Sequence, residues 1–161
     1  SAEESKTYTL QFGEKYNGTS VKGYSNSWTV TCEGFTWNMT NWNNNQNGWT
    51  YVKAGPKNNS AAQAIIETNT SMPEAISTIS ITIDDVSNGS ITSIVLKSST
   101  TNDFTSGTVI ETKKSVSKGV VKFEIPSPQK NLYYQLDFTL NNTTTTKNGV
   151  AQISKVVYTN N

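Results

Sequence analysis

Apolar and polar residues alternate with a period of two along most of this chain, the signature of half-buried β-strands. Tyr8, Leu10 and Phe12 alternate with Thr7, Thr9 and Gln11. The run SWTVTCE places Trp28, Val30 and Cys32 on one face and Ser27, Thr29, Thr31 and Glu33 on the other, which assigns Trp28 and Cys32 to a core. Gly34 reads as a bulge, after which Phe35, Trp37 and Met39 share a face. Further on, Trp49, Tyr51 and Lys53 alternate with Val52 and Ala54, so an inward Val52 and Ala54 leave the other three outside. Gly55-Pro56 ends that strand.

The second half repeats the pattern more strongly. AAQAIIET fits one helical turn or a strand, and its Gly- and Asn-rich neighbours favour the strand. Ile79, Ile81 and Ile83 alternate with Thr and Ser up to a turn at Asn88-Gly89, and Ile94 and Leu96 lie on the returning strand. A turn near Asn102-Asp103 leads to a strand at Val109-Ile110. Val121, Phe123 and Ile125 then face inward, and Leu132, Tyr134, Leu136, Phe138 and Leu140 form the longest inward stripe, opposed by Tyr133, Gln135 and Asp137. A last strand runs from about Val150 to Tyr158. About ten short strands with turns every 8–12 residues or so, and no convincing helix, predict an all-β fold of two antiparallel sheets packed face to face. A jelly roll is the first expectation and an immunoglobulin-like sandwich the second. No repeat or linker divides residues 1–161, which read as a single domain.

Composition then removes several chemistries. The net charge is +1, with no basic stripe of the kind a nucleic-acid groove needs. All thirteen cationic side chains are lysine, so no guanidinium fork is available. Histidine is absent, which excludes a Ser-His-Asp triad and the commonest metal ligand. Cys32 is the single cysteine and has no intrachain partner for a disulfide. No apolar run approaches the roughly 20 residues that span a bilayer. Ser1 before AEES reads as a cloning remnant, and the lysine-only, Asn- and Thr-rich surface reads as a mature extracellular or cell-surface fragment whose signal was removed. No weight falls on triplets such as Asn17-Gly-Thr and Asn38-Met-Thr, because this composition produces them by chance.

The one chemically distinctive stretch is TWNMTNWNNNQNGW, Thr36 to Trp49, which carries three of the four tryptophans. Asparagine and glycine are poor helix formers, and the stretch is too polar for a core strand, so it reads as a loop or strand edge. Trp28 belongs to the core and Trp37 stands open between core and site. The polar neighbours of Trp42 and Trp49 favour exposure. Rings interleaved with amides suit a ligand with apolar faces and hydroxyl edges, as a sugar has. The candidate ligand-binding residues are therefore Trp37, Trp42, Trp49 and Tyr51 for stacking, with Asn43, Asn45, Gln46 and Lys53 as hydrogen-bonding groups. Rings spread over a loop and a strand start are expected to meet at an angle, which fits a curved chain such as an α-1,4-glucan better than a flat cellulose surface.

With that motif, the β-sandwich pattern and the Lys-only, Ser/Thr/Asn-rich surface, the chain resembles carbohydrate-binding modules secreted by anaerobic gut bacteria. More narrowly, it is similar to domains of the starch-adherence proteins of Ruminococcus-type degraders. The resemblance implies non-catalytic attachment to polysaccharide through two or three aromatics, within a larger multidomain protein.

Two other readings compete. In one, the module is structural or adhesive and its Trp-rich loop packs on a neighbouring domain without any glycan. In the other it is a small glycosidase, which needs two carboxylates roughly 5–5.5 Å or 6.5–9.5 Å apart. Glu33, Glu67, Glu111, Glu124 and Asp137 face outward but form no recognisable catalytic motif, so no enzyme is expected. No cofactor is expected either. A calcium ion at Asp84-Asp85 is the one metal reading, and a plain strand-end turn is favoured over it.

Overall fold

The computed structural model describes residues 4–13 and 16–161, without the side chains of Tyr16 and Asn17. Ser1 lies outside these residues, as does the side chain of Asn17. Twelve strands are described: β1 (Thr7–Gln11), β2 (Tyr16–Gly18), β3 (Ser27–Cys32), β4 (Phe35–Thr40), β5 (Val52–Ala54) and β6 (Asn59–Thr68) in the first half. β7 (Thr78–Val86), β8 (Gly89–Ser99), β9 (Thr108–Val116), β10 (Gly119–Glu124), β11 (Tyr133–Asn142) and β12 (Ala151–Thr159) follow. The sole helical element among the described residues is a 3-10 turn, Phe104–Ser106.

The strands form two antiparallel sheets. One has the order β1-β12-β7-β10, with β5 also pairing β12, and the other the order β2-β3-β4-β6-β11-β8-β9. The chain changes sheet at nearly every turn after β6, as a face-to-face sandwich requires. The expected alternation holds: Ile79, Ile81 and Ile83 are buried, as are Tyr134, Leu136, Phe138 and Leu140 opposite them. Trp28 and Cys32 lie in the core as their parity predicts. AAQAIIET is part of β6, not a helical turn.

Gly34 does not make a bulge. Cys32 pairs directly with Phe35, and Glu33 and Gly34 both have positive φ (52° and 81°), a two-residue hairpin turn whose twist matches the flanking strands. Trp37 settles into the core with no exposure, its ring 4.9 Å from Phe35 and 5.9 Å from Tyr158.

β11 runs from one end of the sandwich to the other. At its start Tyr133 pairs with Ser99, the last residue of β8, and at its finish Asn142 pairs with Gly89, the first. The Asn-rich stretch meets the end where β11 finishes and β12 begins, because Lys53 of β5 pairs with Gln152 near the start of β12.

Candidate functional site

The loop from Asn41 to Tyr51 leaves β4 and returns as β5, and its own amides shape it. Asn43 and Lys53 exchange backbone hydrogen bonds of 2.8 and 3.0 Å, closing the loop at its neck. Asn44 is fully buried: its Nδ2 donates to the Thr19 carbonyl (2.8 Å), and its Oδ1 accepts from the backbone N–H of Val21 (3.1 Å) and of Asn47 (3.0 Å). The Asn43 Oδ1 accepts from the Asn45 N–H at 2.8 Å. The Gln46 N–H donates to the Val21 carbonyl at 2.7 Å. Asn45, Gln46 and Asn47 all sit in the left-handed region (φ 53°, 56° and 63°). Asparagine tolerates that region better than most residues, which explains the composition of this loop.

This architecture corrects the expected exposure of Trp42. Its side chain is fully buried, with Nε1 donating to the Ile65 carbonyl (3.1 Å) and the ring edge-on to Phe138 at 5.1 Å and 90°. Its own carbonyl accepts from the Trp28 Nε1 at 3.0 Å. Trp37 and Trp42 thus offer no face to a ligand. Asn43, 6 % exposed, holds backbone and has little surface of its own. Asn45 is half-buried, and Gln46 is the exposed amide of the predicted set.

Trp49, Tyr51 and Lys53 do come together on the outside. All three are partly exposed, and the two rings stack with centroids 5.1 Å apart and an interplanar angle of 20°. The expected large angle between rings is therefore absent from this pair. The Lys53 ammonium lies over both, 5.2 Å from the Trp49 centroid and 5.7 Å from that of Tyr51. Such cation–π contacts contribute about 0.5–1 kcal/mol at exposed sites and fix the amine beside the rings.

Tyr24 is a site neighbour that sequence reasoning missed. Its hydroxyl meets the Asn43 side chain, and burial, together with the nearby Tyr51, pushes its ionisation above the usual phenol range against the opposing hydrogen bond from Asn43. Gly149 closes the other side. A Cβ there would sit 3.2 Å from the Lys53 Cδ and 3.4 Å from the Tyr24 hydroxyl, and its φ of 96° suits glycine. An aromatic residue in a Gly/Ser loop carries no sequence signal that would tie Tyr24 to residues so far along the chain.

The carboxylates gather elsewhere. On the outer face of the seven-stranded sheet, the Gln135 Nε2 donates to the Glu67 Oε1 (2.9 Å) and the Gln63 Nε2 to the Asp137 Oδ2 (3.4 Å). Partial burial holds the Asp137 carboxyl above the usual carboxylate range, with Lys97 opposing and Glu67 adding to the rise. The hollow beside this pair is lined by Glu67, Lys97, Asp103 and Gln135. The Asp84 Oδ1 accepts from the Ser154 hydroxyl (3.1 Å). The described residues hold no group of three or more Cys, Asp or Glu side chains placed to share a metal ion. No described helix is long and apolar enough to cross a membrane.

An all-antiparallel two-sheet sandwich is thus the class of fold, with an aromatic pair and a lysine carried on a clamped loop at one end. No protein-family model matches the sequence, and no curated protein does. Among solved structures, the chain is similar to chitosan-binding module 1 of a chitosanase/glucanase from Paenibacillus sp. IK-5, with a TM-score of 0.50 and 11 % identity over 94 % of this chain and 98 % of that one. It also matches a GH31 CBM32-2 module bound to GalNAc (TM-score 0.40, 10 % identity, 97 % and 98 % covered). A family 35 carbohydrate-binding module from an environmental isolate matches at 0.39 and 13 % identity, over 92 % and 90 %. At these identities the likeness is one of fold.

Proposed function

We propose that this chain is a non-catalytic carbohydrate-binding module that holds polysaccharide at Trp49, Tyr51 and Lys53, with Tyr24 beside them. The observation that carries the reading is the stacked Trp49–Tyr51 pair, partly exposed beside a fixed ammonium on a loop ordered by its own amides. The outer ring surface covers the apolar face of a pyranose, the lysine donates to ring or hydroxyl oxygens, and Gln46 supplies an exposed amide. That a solved structure of similar fold is a chitosan-binding module accords with this.

Within glycans, the reading favours a starch-like α-glucan. Two rings in one short stack with a third aromatic from another loop suit a single curved chain, whereas a flat crystalline surface calls for an extended coplanar row. The module belongs, in this reading, to a larger secreted or cell-surface protein of a gut bacterium, and needs no metal or other cofactor.

Pull-down on insoluble starch, cellulose and xylan is the test. Retention on starch that is lost with Trp49→Ala supports the assignment, and preference for another polymer moves the ligand but keeps the site. A protein that ignores all three is a spacer or adhesion module instead. Release of reducing sugar would overturn the non-catalytic reading.

A further inference from the structure

At the far end of the sandwich, where β8 stops and β11 starts, lies a cavity of about 440 Å³, within the size range of small-molecule sites. It opens between the end of β8, the 3-10 turn with the first residues of β9, and the segment that follows β10. No Asp, Glu, Lys or Arg lines it. Its polar walls are hydroxyls and an amide, notably Ser98, Thr108 and Gln129, and its apolar walls include Val109, Ile125 and Leu132.

The walls combine nearly buried hydroxyls with an exposed aliphatic side chain. Ser98 is only 9 % exposed and stands in the wall of the cavity. Its neighbour Ser99, 8 % exposed, ties the wall together: its hydroxyl donates to the Asp103 carbonyl (3.0 Å) and accepts from the Thr101 N–H (3.2 Å). Val109, at the wall, is 54 % exposed, one of two large apolar side chains so exposed among the described residues. An exposed apolar side chain beside hydroxyl groups invites cover by a ligand that has both kinds of surface.

The wall is also rigid. Asp103 caps the 3-10 turn, accepting from the Thr105 N–H (3.0 Å) and hydroxyl (2.7 Å). Gly107 lies so close to β8 that a Cβ there would come within 2.7 Å of the Ser98 carbonyl oxygen. The cavity is thus preformed.

We propose that this cavity is a second binding site, for one end or residue of a neutral saccharide. Hydroxyls and amides both donate and accept, as sugar hydroxyls do, and the aliphatic wall matches the C–H faces of a pyranose. The uncharged lining gives no counterpart to a phosphate, carboxylate or ammonium. The cavity takes its saccharide whether or not the Trp49 site binds glycan; where both bind, their placement at opposite ends lets the module hold two points on a polysaccharide at once. Avidity for a polymer then exceeds affinity for a short oligosaccharide.

The test uses amide NMR of the chain and of a Trp49→Ala/Tyr51→Ala variant, titrated with trisaccharides of the α-glucan, β-glucan, xylan and chitin types. Saturable shifts at Ser98, Gly107, Val109 and Gln129 in the variant, weakened about fivefold by a further Ser98→Ala as expected for one hydrogen bond, establish the site. Absence of those shifts with all four sugars overturns it, as does unchanged affinity in Ser98→Ala. Shifts at Lys53 and Gly149 in the parent chain report separately on the aromatic pair, so the two readings fail independently.

Discussion

Trp42 and Trp49 belong to one asparagine-rich stretch and have opposite fates. Trp42 is sealed against Phe138 with its indole N–H on the Ile65 carbonyl, whereas Trp49 lies on the surface, stacked on Tyr51 under Lys53. Trp42 stands between Asn41 and Asn43, and Trp49 follows Asn47 and Gly48. The difference lies in what the fold brings against each ring. Around Trp42 the amides of Asn41 and Asn44 turn back to satisfy backbone groups of adjoining segments, so the polar residues are part of the seal. Beside Trp49 the Asn47 amide also turns back, its Nδ2 donating to the Gly18 carbonyl (3.1 Å), yet the Trp49 ring stays partly exposed. Local polarity therefore measures how many hydrogen bonds a segment can make, and it does not say whether water or protein supplies the partners.

The largest test of this contrast is Trp42→Ala, which should destabilise the protein by about 3–5 kcal/mol as a buried large-to-small change. Chemical denaturation measures it, and a wild-type midpoint would show that the ring is not part of the core. Asn44→Ala comes next. It removes three hydrogen bonds from a fully buried position, and the Val21 and Asn47 N–H groups and the Thr19 carbonyl lose their partner. A loss of about 1–3 kcal/mol is expected, along with weaker glycan binding although Asn44 touches no ligand. Unchanged binding would mean that the loop keeps its shape without this clamp.

Trp49→Ala should do the reverse of Trp42→Ala, leaving the melting temperature near wild type and weakening glycan affinity by about 1–3 kcal/mol, the range for a ring stacked on a planar partner. Calorimetry and a thermal melt on the same sample separate the two effects. The smallest expected effect concerns Lys53. If the rings dominate, affinity for a neutral oligosaccharide changes by less than about twofold between 50 and 500 mM salt, because screening acts on charge pairs that such a ligand lacks. A steep salt dependence would instead make Lys53 the principal contact and the ligand anionic.

Much of the fold was legible in the sequence because burial in a sandwich alternates residue by residue. Trp28, the isoleucines of β7 and the stripe on β11 announce their faces directly. Strand order was not legible, since β5 finds β12 and β4 finds β6 across long stretches of chain with no local mark. The site was legible in part. Trp49, Tyr51 and Lys53 follow from parity against Val52 and Ala54, a strand property. Trp42 was misjudged because its cover comes from Ile65 and Phe138, remote residues that only the tertiary fold brings near.

The neck formed by Asn43 and Lys53 has a thermodynamic consequence for recognition. A flexible loop must give up backbone entropy when it captures a ligand, roughly 1–2 kcal/mol for each residue it fixes. Here the loop is closed by two backbone bonds and filled by Asn44, so that ordering accompanies folding and not association. Capture of a glycan then falls mainly on a few side chains and the ligand itself. A weak stacking site can work under those terms, and heating that loosens the neck should erode affinity well before the sandwich melts.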